Sequence, residues 1–580
     1  MDMKKPGNAK WSLSTLALLI GVLLGGCPLT EDPIAQTPCE IPEGVLLVDQ
    51  ANDSGDEDGR SWESAFTTVQ AAVDAATTGE EVWVAAGTYK SGGNETLVLM
   101  ADGVSVLGGF AGGECSAAER DWIVNPTTLD GDSTGDGPTS DDAWHVVEGA
   151  SGARFSGFQV TGGYGDFPCG DVPSCVFGSA MYNIDVSNLS VDHVIFHGNA
   201  GFFAPVSNVR SSVSFADTIY FGNTGTKETG GLLIGDSEVA LNNIAFVSNH
   251  GGGASEGGAL TETNSTVMVT NASAVRNNAH EGGAIWQNGG SVTIVGATFR
   301  ENSAYRGGAL QQDIGSLWLT NTSFEGNMAA VVGGALHLWA DATITSSTFA
   351  YNEADFVEHE GYDFEGAAIF TTDGEITITN SALYGNLDHN DEGVGGPAPA
   401  DTFAVKGSAI TTSYTCNETG LSGTGNVTLA GLPFEQPNAS GELFLDPAGA
   451  DTGCIDAGDN DAADAAIGEG LWEAQTTRAD GMSEADVDGM GTEQADAGRH
   501  YDPFAVRIDS FSADGANATW TGAYADNCFL FNDANKTIIA VPEMDLYGGT
   551  LAHAQAGGTE LFFICMGSAG EPAVATAINP

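Results

Sequence analysis

Basic side chains are scarce in this sequence. Only 17 Lys and Arg stand against 78 Asp and Glu, for a formal net charge of −61. A surface of that sign repels nucleic acid and anionic lipid, so neither is an expected partner. After the first 26 residues no stretch reaches the roughly 18 apolar residues of a membrane-spanning helix. Helical periodicity is confined almost entirely to residues 66–76, which excludes an α-helical or doubly wound architecture. No Cys-x-x-Cys pair or paired histidine supports zinc. No serine-hydrolase elbow or phosphate loop is present. Aromatic residues are few (8%), yet a hydrophobic content of 42% excludes a disordered chain. What is abundant is glycine, 80 residues of it, with much Thr, Ser, Asn and Asp. That composition belongs to a β-rich, turn-rich chain long enough to bury an extended core.

The beginning of the chain reads as an export signal. Lys4, Lys5 and Lys10 precede an apolar run at 13–24 and the tetrapeptide Leu24-Gly25-Gly26-Cys27, the order of a secretory leader. Its ending resembles a lipobox, which implies cleavage before Cys27, acylation of that cysteine and stable anchoring by its acyl chains. Pro28 in place of an aspartate favours the outer membrane over inner-membrane retention by the same resemblance. The expected location is a lipid-anchored, surface-exposed position on the outer membrane. Without residues 1–26 the chain carries 14 basic and 77 acidic residues, a net of −63. Residues 27–44, with four prolines, read as a stalk.

Two interlocked motifs fill the middle. An apolar residue three places before an asparagine recurs at Phe196/Asn199, Tyr220/Asn223, Phe246/Asn249, Val275/Asn278, Phe299/Asn302, Phe324/Asn327, Phe349/Asn352 and Leu383/Asn386. Between these lie Gly257-Gly258-Ala259-Leu260, Gly282-Gly283-Ala284-Ile285, Gly307-Gly308-Ala309-Leu310 and Gly333-Gly334-Ala335-Leu336, with a decayed copy at Gly366. A period near 25 residues marks a stacked solenoid. Short alternating stretches such as Val292-Thr293-Ile294 and Ile376-Thr377-Ile378 give each coil one apolar and one wet face. Phe246, Phe299, Phe324 and Phe349 should form an internal ladder. Asn suits a left-handed corner, and paired glycines suit positive φ and close backbone approach. The fold class is therefore all-β, a right-handed single-stranded parallel β-helix.

The pairing of Gly-Gly-Ala-Ile with Phe-x-x-Asn resembles the repeats of chlamydial polymorphic outer-membrane proteins. Asp58-Gly59-Arg60-Ser61-Trp62, the run from Phe66 to Val73 and Val82-Trp83-Val84 resemble the cap of pectate-lyase-like β-helices, where a short helix covers the first coil. The resemblance implies a β-helix over 45–503, with its cap over about 45–90. Residues 504–580 lack both motifs. The spacing of Trp520, Cys528 and Cys565 there resembles an immunoglobulin-like sandwich. The eight cysteines besides Cys27 suggest disulfides in an exported protein. Expected pairs are Cys169 with Cys175, Cys528 with Cys565, Cys416 with Cys454 and Cys39 with Cys115.

Chemistry is less legible. Calcium is the one cofactor considered. Glu484, Asp486, Asp488 and Glu493 imitate part of an EF-hand loop, and acidic runs at 130–142 and 353–365 are further oxygen-rich loops. Aligned outward positions after the glycine motif give Trp286, Gln311, His337 and Phe370. The next strand contributes Met268, Thr293, Trp318, Thr343 and Thr377. Trp286 and Trp318, if exposed, could stack on sugar rings, so glycans or surface proteins are candidate partners. Arg300 and Arg306 read as solvated. Glu262 and Asp313 are a candidate carboxylate pair, weakened because Glu262 aligns with Gln287 and Gln312. The favoured function is non-catalytic display for adhesion, glycan contact or envelope structure. A polysaccharide lyase or hydrolase is the alternative. Two close carboxylates beside a Lys or Arg in a groove along the coils would favour the enzyme.

Overall fold

The computed structural model describes residues 40–165, 177–253, 256–354, 366–388, 398–399, 403–405, 409–418, 420–429 and the strands between 507 and 578. Through residue 429 the strands pair in parallel, each with its equivalent one coil away, apart from an antiparallel pairing of Leu387–Asp388 with Ala398–Pro399. This is the expected right-handed parallel β-helix. The helix at the cap is Val69–Ala75. Thr68 accepts from Ala71 N at its N-terminus, and Val69, Ala72 and Val73 close the core over Leu46, Val48 and Val82.

Each regular coil has three strand segments. In one coil these are Leu260–Thr263 and, within Thr266–Val275, two segments separated by Asn271. Asn271 has φ 54°, and the equivalents Asp217, Asn243, Gly296 and Asn321 are also left-handed. That conformation is least costly for Gly, Asn and Asp, and it bends the second segment into the third. Inside, Phe299, Phe324 and Phe349 stack with centroids 4.9 and 4.8 Å apart. Phe196, Tyr220 and Phe246 form an earlier stack. The spacing matches that of neighbouring strands, so each ring packs on the next without leaving the strand register.

Two features of the repeat differ from expectation. In the coil at 266–278, Ala274 pairs between Phe246 and Phe299, so Val275 points outward. The asparagine of that coil is Asn277: its Nδ2 donates to Asn302 Oδ1 (3.0 Å) and Phe246 O (2.9 Å). The asparagines also do not occupy the left-handed corner. Gly222, Ser248, Arg276 and Glu301, each just before a ladder asparagine, do so. The asparagines themselves are buried, and each amide bridges to the next from Asn199 to Asn386. A buried turn must satisfy its backbone carbonyls, and an inward amide does this while linking coils. The glycine motif behaves as expected. Gly282 and Gly307 have φ 62° and 60°, and a Cβ on Gly258, Gly283 or Gly308 would collide with the carbonyl of the next coil's second glycine.

The described strands between residues 507 and 578 form two antiparallel sheets of three and four strands. Cys528 and Cys565 are bonded, as expected, but they face each other on neighbouring strands of one sheet. The immunoglobulin bridge joins two sheets, so this disulfide is of another kind. The four-stranded sheet is apolar on both sides. Leu530, Phe563 and Cys565 face Trp520 in the sandwich, while Phe529, Phe531, Phe562 and Ile564 face the β-helix. There they cover Ile195, Ile219, Phe221 and Val247 on the third segments, with Phe221 and Phe531 rings 4.4 Å apart. Val275 joins this contact, which is why an apolar residue can point outward. Arg300, expected to be solvated, is buried and donates to Val574 O (2.6 Å).

Cys115 is disulfide-bonded, with a partner outside the described residues. Cys416 is a free, buried thiol on a strand paired with the coil before it, which corrects the expected bridge to Cys454. Cys27, Cys39, Cys169, Cys175 and Cys454 lie outside the described residues. No helix among the described residues is long and apolar enough to cross a membrane.

Candidate functional site

The site lies on the first segments, where the chain returns to the sheet through the glycine motif. The residue before each glycine pair is Glu256, Glu281, Arg306 and Val332, in register on successive coils. The residue after each Gly-Gly-Ala-Leu/Ile is Thr261, Trp286, Gln311, His337 and Phe370, also in register. The glycines bring the two columns together because they leave no side chain between them.

Side chains from both columns meet around Asp313. Trp286 Nε1 donates to Asp313 Oδ2 (3.2 Å), and Gln311 Nε2 donates to Oδ1 (2.7 Å). His337 Nδ1 lies 3.2 Å from Gln311 Oε1. An amide oxygen only accepts, so the proton sits on Nδ1 and Nε2 is bare. Glu281 Oε1 is 3.2 Å from Arg306 Nη1 and 3.1 Å from His280 Nδ1, and the Gln311 amide beside Glu281 favours its anion.

Electrostatics set these groups apart. Burial pushes Glu281 up to about 7, with Asp313 and Glu256 adding to the rise and Arg306 opposing it. Burial and Asp313 also raise Glu256, and burial with Glu256 raises Glu228 to about 7. Burial lowers His337 to about 3, with Arg306 contributing, so its imidazole is neutral. Glu281 Oε2 and His337 Nε2 are buried without a hydrogen-bond partner among the described residues. Buried polar atoms normally find partners, and perturbed acids in a cleft mark candidate functional sites.

Several expectations change here. Trp286 is 6% exposed and His337 2%, with Gln311 and Phe370 similarly buried. The return loop covers this column, so it offers no open platform for sugar stacking. Trp318 is exposed, at 41%. Glu262 and Asp313 do not form a pair. Glu262 is buried within the coil stack, in register with Gln287, and Ser265 N donates to its Oε1 (2.5 Å). Arg306 is not simply solvated, since it pairs with Glu281. Sequence reading missed Glu228, Glu256 and Glu281. For Glu256 and Glu281 the signal was present in the fixed position before the glycines, which reads Glu, Glu, Arg on three successive coils, whereas Glu228 lies one place earlier, ahead of Thr229.

The candidate calcium ligands Glu484, Asp486, Asp488 and Glu493 lie outside the described residues. In the acidic run at 130–142, carboxylate oxygens of Asp132, Asp136 and Asp142 lie within 4.8 Å of one another. Backbone amides already occupy this loop: Ser133 N and Thr139 N donate to Asp142, and Gly135 N and Gly137 N donate to Asp132.

Residues 51–302 match one family. Its description is "Protein of unknown function (DUF1565)", and the match spans the cap and the coils as far as the Asn302 rung. No curated protein matches the chain. Among solved structures the chain is similar to a PL6 family alginate lyase, AlyGC, at 13% identity and TM-score 0.37. That likeness covers 70% of this chain and 56% of that one, little more than half its length. A second alginate lyase, AlyF-OU02 in complex with G6, gives 14% identity and TM-score 0.37, over 74% and 96% of the two chains. The catalytic unit of a GH87 α-1,3-glucanase from Streptomyces thermodiastaticus gives 12% and 0.35, over 65% and 71%. At these values the comparisons leave the chemistry to be argued from this chain's own residues.

Proposed function

We propose that this chain is a cell-surface β-helix, anchored through Cys27, whose first face hydrolyses a neutral glycan. The gathering of Glu256, Glu281 and Asp313, with Arg306 paired to Glu281, carries this reading. Glycoside hydrolysis needs one carboxyl that keeps its proton near neutrality and a second carboxylate across the scissile bond. Glu281, pushed up to about 7, suits the acid, and Asp313, oriented by Trp286 and Gln311, suits its partner. A lyase is less well served. Arg306, the guanidinium at this site, is paired with Glu281, and a polyuronate would meet a chain of net charge −61.

The low exposure of Trp286 and His337 favours a second reading, non-catalytic display for adhesion or envelope structure. Product chemistry separates the readings. Incubation with neutral glucans, mannans and xylans should release reducing ends, and Glu281→Gln should lower the rate roughly 10²–10⁴-fold. Unsaturated products from polyuronates would instead establish a lyase, and no products from any polymer would leave display. Anchoring is tested separately. Cys27→Ser should move the protein from the membrane fraction to the soluble fraction, and retention of the variant would refute the anchor.

A further inference from the structure

The three segments of a coil present three different outer faces. The first carries the acidic site, and the third is covered by the C-terminal sandwich. The second is exposed, and two of its outward columns carry no charge, although Glu238 and Glu375 lie at its leading edge. One outward column runs from Ser214 and Ala240 through Met268, Thr293, Trp318 and Thr343 to Thr411. Its neighbour runs from Ala216 to Ser413 and includes Thr270, Thr320, Thr345 and Thr379. Neither column contains a charged residue over eight coils, in a chain that is 16% charged. The face is roughly 34 Å long, from seven steps of about 4.8 Å, and its columns are about 7 Å apart.

We infer that this second face docks on the flat surface of a neutral, insoluble polysaccharide. Three observations select that occupant. Within the two columns a charged polymer finds nothing to pair with, and the acidic Glu238 and Glu375 at their border repel an anionic one. A second copy would bring two chains of net charge −61 face to face, which self-repulsion opposes. Threonine presents a methyl and a hydroxyl from a side chain stiff at χ1, so a row of them is ordered before binding and loses little entropy on contact. A pyranose presents ring C–H groups for the methyl and hydroxyls for the hydroxyl. Trp318 and Met268, 41% and 50% exposed two coils apart, add broad apolar contact for ring faces. The inference does not depend on catalysis at the first face.

The test uses the full mature chain with Cys27→Ser, mixed with microcrystalline cellulose and with microcrystalline chitin. The chain should sediment with at least one of them at moderate salt. Thr343→Glu with Thr377→Glu should reduce retention at least tenfold, while Glu281→Gln leaves it intact. Trp318→Ala gives a second, milder disruption should the double variant misfold, which circular dichroism would reveal. Absence of retention on both polymers, or retention that survives both face variants, would overturn the proposal. Loss with Glu281→Gln would assign binding to the groove instead. A dimer abolished by the double variant would make a second copy the occupant, and adsorption to growing ice alone would assign the array to ordered water.

Discussion

Trp286 and Trp318 occupy equivalent outward positions on the first and second segments, yet one is 6% exposed and the other 41%. Strand alternation is the same in both. The difference lies in what the chain lays over each face: the return loop with Glu256, Glu281 and Arg306 over the first, and no described segment over Trp318 on the second. The third face makes the same point, because Phe221 and Val247 point outward and are buried by the C-terminal sandwich. Period-2 alternation therefore separates inside from outside the coil, but not covered from wet. In this molecule, covering produces the perturbed acids and openness produces the uncharged threonine array.

The sharpest way to break this comparison is to set an interior rung against an outward one. Phe324→Ala should cost about 3–5 kcal/mol in chemical unfolding, as a large truncation in a fully packed ladder. Phe221→Ala should cost about 3 kcal/mol although its side chain points away from the coil. Limited proteolysis of that variant should release the sandwich before the coils unfold. A loss near zero at Phe221 would mean that the sandwich does not cover the third face.

Much of the fold was legible because it repeats. Asn302, Asn327 and Asn352 recur every 25 residues, and only a stacked coil explains asparagines in fixed phase with glycine pairs. The register failed at one coil, where Val275 and Asn278 imitate the motif one place beyond Ala274 and Asn277. A small residue in the ladder and an apolar residue under the sandwich hid the true phase. The candidate site was hidden for another reason. Glu256 and Glu281 precede the glycines by one residue, but their meeting with Gln311 and Asp313 depends on how the turn folds over the sheet. Cys416 likewise looked like half of a bridge because an even count of cysteines was all that could be read.

A smaller effect sharpens the view of the interior. Burial raises Glu262 to about 7 from an ordinary value of 4.5. The folded state thus prefers its protonated form, and that contribution is full below pH 4.5 and is lost as pH rises through 7. Glu228 and Glu281 act with the same sign. The melting temperature should fall between pH 5 and pH 8, and Glu262→Gln, which extends the column of Gln287 and Gln312, should flatten part of that fall by stabilising the protein at pH 8. A variant less stable than the parent at pH 8 would contradict the buried acid. The smallest effect belongs to the open face, where Thr343→Ser should change stability by no more than about 0.5 kcal/mol.

The central claim is that the covered first face holds Glu281 as an acid poised near neutrality beside Asp313. Difference infrared titration of the carboxyl bands, parent against Glu281→Gln, reads that group directly. The expected midpoint is near pH 7 and moves lower in the Asp313→Asn background, because removing a neighbouring negative charge favours ionisation of Glu281. A midpoint near 4.5, unmoved by Asp313→Asn, would show an ordinary surface carboxylate and contradict the account.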